Sequence, residues 1–225
     1  MTAAPHLTDE ERFPLLTTGG RALLDSLRQH PRAPRFNMRC GDRLDERSLE
    51  EVRQFERDLA ARPPRWTEGE IPQWTRAFVE SVASRVPFYR QRTDGRDFFS
   101  IPPCGREDLQ DAPWSFVPDD AGLGDLILYY TSGTHGRPLH VLANPAFAAK
   151  RLPLYRAALA AQGVALEGGS GRVSIVFACS QLTTLTYASV STFLGEAGHV
   201  KVNLNPDEWR DPSDRVAFLD GCDAE

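Results

Sequence analysis

The chain has 225 residues, of which 41% are hydrophobic and 25% charged, and its formal net charge is −5. That is enough apolar material for one large domain or two small ones and excludes wholesale disorder. The acidic balance argues against a nucleic-acid binder, whose footprint would be a basic stripe, and no apolar run approaches the ~20 residues of a membrane span.

The N-terminus, MTAAPHLTDEERFPLL, has neither a basic start nor an apolar core, so it does not read as a secretory signal. The segment RALLDSLRQHP predicts a short helix ended by Pro31. LDERSLEEVRQFERDLAARPP predicts a second, with Leu49, Val52, Phe55 and Leu59 on one face and Pro63 and Pro64 as its stop. In IPQWTRAFVESVASRVPFYRQR, residues Trp74, Phe78 and Val82 fall at helical spacing and are expected to face the core, the helix ending ahead of Pro87. A further short helix is expected around Arg106 to Gln110.

The pattern changes near Asp125. LILYY and LHVLA are β-prone runs flanking a polar, Gly-rich segment. PAFAAKRLPLYRAALAAQG predicts a helix that Pro153 kinks or divides. RVSIVFA predicts a strand, LTTLTYASVSTFLGEAG a helix, HVKVNLN a strand, and PSDRVAFLDGCDAE the start of a last helix. The expected architecture is therefore α/β: a helical region over residues 1–100, then a mixed or parallel sheet with flanking helices over 101–225. The alternation calls for another strand after the last helix, so the sheet reads as incomplete.

The four cysteines, Cys40, Cys104, Cys179 and Cys222, have no C-x-x-C spacing and no nearby His pair. They predict no metal site and fit free, mostly buried thiols in a reducing, cytoplasmic setting. Asp119 and Asp120 read as an acidic turn, and His199 as a structural residue of a strand. Cys179 invites comparison with acyl transfer through cysteine, but with no base assigned beside it the residue reads as a structural thiol.

The segment between the β-prone runs carries the chemistry. In YTSGTHGRPL, Gly133 and Gly136 allow close approach of backbone N–H groups to an anion, Thr131, Ser132 and Thr134 add hydroxyl donors, and His135 and Arg137 add further polar contacts. A Walker loop is excluded, because Gly136 is followed by Arg137 and Pro138 rather than Lys and Ser or Thr, and G-x-G-x-x-G is absent. A long polar hairpin without a ligand fits the composition equally well.

The same residues resemble the signature loop of the adenylate-forming (AMP-binding) enzymes, roughly [ST]-S-G-[ST]-[TS]-G-x-P. Thr131, Ser132, Gly133, Thr134, Gly136 and Pro138 match it; His135 stands where Thr or Ser is usual, and Leu139 where many members have Lys. VPFYRQR (86–92) and IPPCGREDLQD (101–111) resemble segments of the phenylacetate–CoA ligase-like branch, the likeness running from about Trp74 to Asp214. The resemblance implies the first half of an adenylate-forming large domain. It implies ATP and Mg²⁺, activation of a small carboxylic acid as its acyl-adenylate, and transfer to CoA or a carrier phosphopantetheine. Thr131 to Arg137 would contact the ATP phosphates, and Gln181, Leu182 and Tyr187 would line the acyl pocket.

The family's later segments are missing: the Glu that helps hold Mg²⁺, the Asp that grips the ribose and the catalytic Lys have no counterpart, and Lys150 and Lys201 do not match the lysine's context. No catalytic residue is assigned, and the chain alone is expected to be inactive. It reads as the N-terminal part of a ligase, to be completed by a C-terminal fragment and served by a carrier protein, or as a truncated relative that acts by binding a partner; an acyl-protein synthetase-like transfer is a third reading.

Overall fold

A computed structural model describes residues 7–61, 71–92, 98–130, 138–222. The fold is mixed α/β and divides into two compact units, one formed by residues 1–60 and 148–225, the other by 61–147. This division by packing falls elsewhere than the division at residue 100 read from the sequence.

The first unit opens with α1 (Asp9–Arg12), whose Thr8 and Glu11 form a reciprocal capping box. α2 (Thr18–Gln29) follows, capped by the Thr17 side chain, which accepts from the Gly20 amide at 3.2 Å. Asp9 ties the two together, 2.7 Å from Arg28 and 3.4 Å from Arg21. α3 (Glu46–Ala61) buries Leu49 and Val52 as expected. In the second unit, α4 (Gln73–Arg85), α5 (Pro87–Arg90) and α6 (Arg106–Asp111) precede a hairpin of β1 (Ile127–Tyr130) and β2 (His140–Ala143). The helix expected over 145–163 is two helices, α7 (Pro145–Ala149) and α8 (Arg151–Ala160). The break falls at Lys150; Pro153 sits in the first turn of α8, where its missing N–H removes no helical bond.

The main sheet has three strands in the order β3–β5–β4, from β3 (Val173–Cys179), β4 (Tyr187–Ser191) and β5 (Ala197–Asn203). β3 and β5 are parallel, with an irregularity between Val173 and Ile175; β4 and β5 are antiparallel. One face, with Val173, Ala188, Val200 and Val202, packs on Leu27 of α2 and on Trp209, Phe218 and Cys222, the last two from α9 (Asp214–Cys222). The Trp209 indole donates to the Asn203 carbonyl at 2.7 Å.

Three expectations are corrected. The segment read as a helix, 182–198, instead holds β4 and a tight turn into β5. Its β-branched and hydroxyl residues alternate against β5, and Gly195 and Glu196 both take positive φ (64° each), which ends any helix there. Glu196 holds this conformation with its carboxylate on the Thr17 amide (2.6 Å) and hydroxyl, at the N-terminus of α2. Gly20 lies against the same carboxylate, where a Cβ would overlap it. Second, of the Trp74/Phe78/Val82 stripe of α4, Trp74 is 67% and Phe78 53% exposed and Val82 is half-buried, while Thr75 and Val79 are buried. The buried face lies one residue further along. Third, of the four free cysteines only Cys222 is buried; Cys104 is exposed.

The two outer edges of the main sheet differ. Beside β4, the preceding chain supplies partners: the Asn37 and Met38 amides donate to the Thr186 carbonyl, Asn37 Oδ1 accepts from the Thr186 amide at 2.9 Å, and Asp42 Oδ2 accepts from the Thr192 amide at 2.7 Å. Burial pushes the Asp42 carboxyl up, against the pull of the Thr192 and Leu44 hydrogen bonds. Among the described residues, no backbone hydrogen bond reaches β3 from any element other than β5 and the residues adjoining it.

Candidate functional site

β1 and β2 pair antiparallel from Ile127↔Ala143 to Tyr130↔His140, so residues 131–139 close the hairpin. Thr131, Ser132, Gly133, Thr134, His135, Gly136 and Arg137 lie outside the described residues; the strands on both sides are described. The Tyr130 and His140 rings meet edge to face at 5.0 Å at the base of the loop, with Tyr130 55% exposed. The chain after Pro138 and Leu139 continues as a strand, not as the helix that a Walker loop requires.

β2 packs against α6 and against the 3-10 turn Pro113–Phe116. The two upstream segments singled out in the sequence meet at the same place. Phe88 of 86–92 stacks on Phe116 at 4.1 Å, and Arg92 lies 4.0 Å above the Phe88 ring and 3.0 Å from Asp108 of 101–111. The Tyr89 hydroxyl lies 3.7 Å from the Cys104 sulfur; burial, that thiol and the Asp108 charge push it up to about 12, so it is protonated at neutral pH. A cleft of about 450 Å³ opens here, lined by Phe88, Arg92, Glu107, Asp108, Asp111 and Ser115 among others. Asp119 and Asp120, read as an acidic turn, are paired with Arg90 and Arg85 in the same unit.

Gln181, Leu182 and Tyr187 belong to the first unit. Gln181 is held by its backbone: its amide donates to Asn203 Oδ1 (3.0 Å) and its carbonyl accepts from Asn203 Nδ2 (2.8 Å). Leu182 is 86% exposed. Tyr187 stands on the sheet face opposite the core, where its ring meets His199 at 5.6 Å; Phe177 flanks His199 from the other side at 5.4 Å. Lys201 lies in register between Phe177 and Tyr187 and donates to Thr184 Oγ1 at 3.1 Å.

His199 is 6% exposed, and its Nε2 is buried without a hydrogen-bond partner among the described residues. Burial, with a smaller contribution from Arg151, draws it down to about 4, so the ring is neutral at physiological pH. The fully buried Asn203 escaped the sequence reading. The alternation in HVKVNLN, which turns His199, Lys201 and Asn203 away from Val200 and Val202, was the signal that pointed to it.

Cys179 ends β3 with its sulfur 3.4 Å from the Val202 carbonyl. Among the described residues, no group of three or more His, Cys, Asp or Glu side chains is placed to hold a metal ion, and no helix is long and apolar enough to cross a membrane.

No family model matches the chain, and neither does any curated protein or solved structure.

Proposed function

We propose that the chain supplies the nucleotide-phosphate loop of an ATP-dependent carboxylic acid–thiol ligase. The observation that carries the reading is the hairpin. The adenylate-forming signature in residues 131–138 is framed by paired strands, and β2 packs on α6, formed by one of the other two segments that bear the same resemblance, and on the 3-10 turn Pro113–Phe116, on which Phe88 of the other segment stacks. All three segments fall within the unit 61–147.

In this reading the amides of Gly133 and Gly136 and the hydroxyls of Thr131, Ser132 and Thr134 bind the β- and γ-phosphates of ATP. Arg137 adds positive charge against the pyrophosphate as it leaves. The acid's carboxylate attacks the α-phosphorus, giving acyl-adenylate and pyrophosphate; the thiol of CoA or a carrier phosphopantetheine then takes the acyl group and AMP leaves. Mg²⁺ would neutralise charge on the nucleotide phosphates. Gln181, Leu182 and Tyr187 are the acyl-pocket residues of the same reading.

Gly136→Val is expected to abolish carboxylate-dependent pyrophosphate release wherever the whole site is assembled, while the far-UV circular dichroism stays unchanged. Release at the wild-type rate in that variant contradicts the reading. This chain by itself is expected to release little or none, because the sequence lacks the segments for Mg²⁺, ribose and the catalytic lysine.

A further inference from the structure

The outer edge of β3 is built to pair. The Cys179 carbonyl accepts from the Leu204 amide at 2.6 Å, so Cys179 turns its backbone groups toward β5. By the two-residue period of a strand, Phe177 and Ile175 do the same, while Val176 and Ala178 direct their N–H and C=O groups outward. Natural edges are protected by charge, proline, irregularity or covering chain. The β4 edge has the covering chain, through Asn37 and Asp42. Beyond its irregularity at 173–175, β3 has none of these among the described residues: Ile-Val-Phe-Ala-Cys is regular, uncharged and proline-free. Its most exposed large side chain, Phe177, is 41% open.

From this geometry we infer that β3 pairs with β3 of a second copy, antiparallel about a two-fold axis at Phe177. The strand is self-complementary in that register. Val176 faces Ala178 of the second copy, and the reverse, each pair exchanging two hydrogen bonds through the outward groups. Phe177 meets its own counterpart as a non-hydrogen-bonded pair, where side chains approach most closely and an aromatic pair contributes most. Ile175 faces Cys179 of the second copy. Charge does not oppose it: Arg172 falls opposite Leu182 of the second copy, and no other charged residue follows until Glu196. The two copies of Lys201, each one strand inward from Phe177, stand about 14 Å apart at ordinary strand spacing, beyond the screening length of physiological salt. A strand of opposite or mixed charge has nothing to recognise on this edge, whereas an identical uncharged strand matches it residue for residue. An isologous contact of this kind closes at two copies.

Sedimentation velocity of the full chain from ~5 to ~200 µM tests it, the range suited to a contact smaller than a standard interface. The weight-average mass is expected to climb from 25.1 kDa toward twice that value. Ala178→Pro removes an outward N–H and leaves the bonds to β5 intact, a change edge strands tolerate; Phe177→Lys puts like charges on the axis. Each is expected to raise the half-dimerisation concentration at least tenfold with an unchanged circular dichroism spectrum, and Phe177→Lys carries the test if the proline variant does not fold. A wild-type chain that is monomeric throughout the range overturns the inference. So does a dimer that survives the substitutions, or an open-ended polymer that grows with concentration.

Discussion

In the unit formed by residues 1–60 and 148–225, helices and strands send their side chains into common cores. Leu24, Val52, Val200, Val202 and Phe218 are all at most 1% exposed. In the unit 61–147 the balance is reversed: Val79, Val86, Phe88 and Val117 are buried, while Trp74, Phe78, Phe99, Trp114 and Tyr130 each show half or more of their surface. The first unit thus has a hydrophobic basis for its fold. In the second, a two-stranded hairpin, which has little stability alone, depends on the helices and aromatic stacking beside it. The difference teaches where to look for function. The segment proposed to bind phosphate belongs to the less buried unit.

Substitutions can break or sharpen this contrast. The largest effect is expected for Phe218→Ala, whose ring meets His30, Phe36 and Trp209 in the main core. Loss of a buried aromatic costs about 3–5 kcal/mol, read as a lower midpoint in urea unfolding. Next is a pH effect at His199. Its folded value near 4 lies below the ordinary 6.5, so the unfolded chain takes up the proton first. The stabilisation is complete above pH 6.5 and is lost as pH falls toward 4, by at most about 3 kcal/mol. His199→Leu is expected to flatten the stability profile across that window. Asp42, with its raised value, acts in the opposite sense, so the difference between wild type and variant isolates the histidine. A smaller loss, about 1–3 kcal/mol, is expected for Gly20→Ala, where a methyl group crowds the Glu196 carboxylate against α2. Smallest is Trp74→Ala: on an exposed face it is expected to shift stability by no more than about 0.5 kcal/mol in the same urea assay. A loss of several kcal/mol there would erase the contrast between the units.

Much of this organisation is written locally. β1, β2, β3 and β5 come from short β-branched or aromatic runs, and α3 from helical periodicity, so their sequences alone suggest them. β4 is hidden because Thr, Ala, Ser and Leu in LTTLTYASVSTFLGEAG suit a helix about as well as a strand. What decides is the partner β5 and the left-handed turn at Gly195 and Glu196, which depends on Thr17, far away in the sequence. α4 was legible as a helix, but periodicity does not say which neighbouring stripe faces inward; packing selects Thr75 and Val79 over Trp74 and Phe78. At the candidate site, the two strands of the hairpin were readable because short β-prone runs are a local signal. The grip of Asn203 on Gln181 was not, because it joins residues 22 positions apart.

The most direct test of the phosphate-loop proposal is a calorimetric titration of this chain with Mg²⁺–ATP beside the Gly136→Val variant. The expected result is saturable binding by the wild type, weakened at least tenfold in the variant while the two proteins melt alike. Absence of binding by the wild type, or equal binding by both, contradicts the assignment of residues 131–137 to the phosphates of ATP.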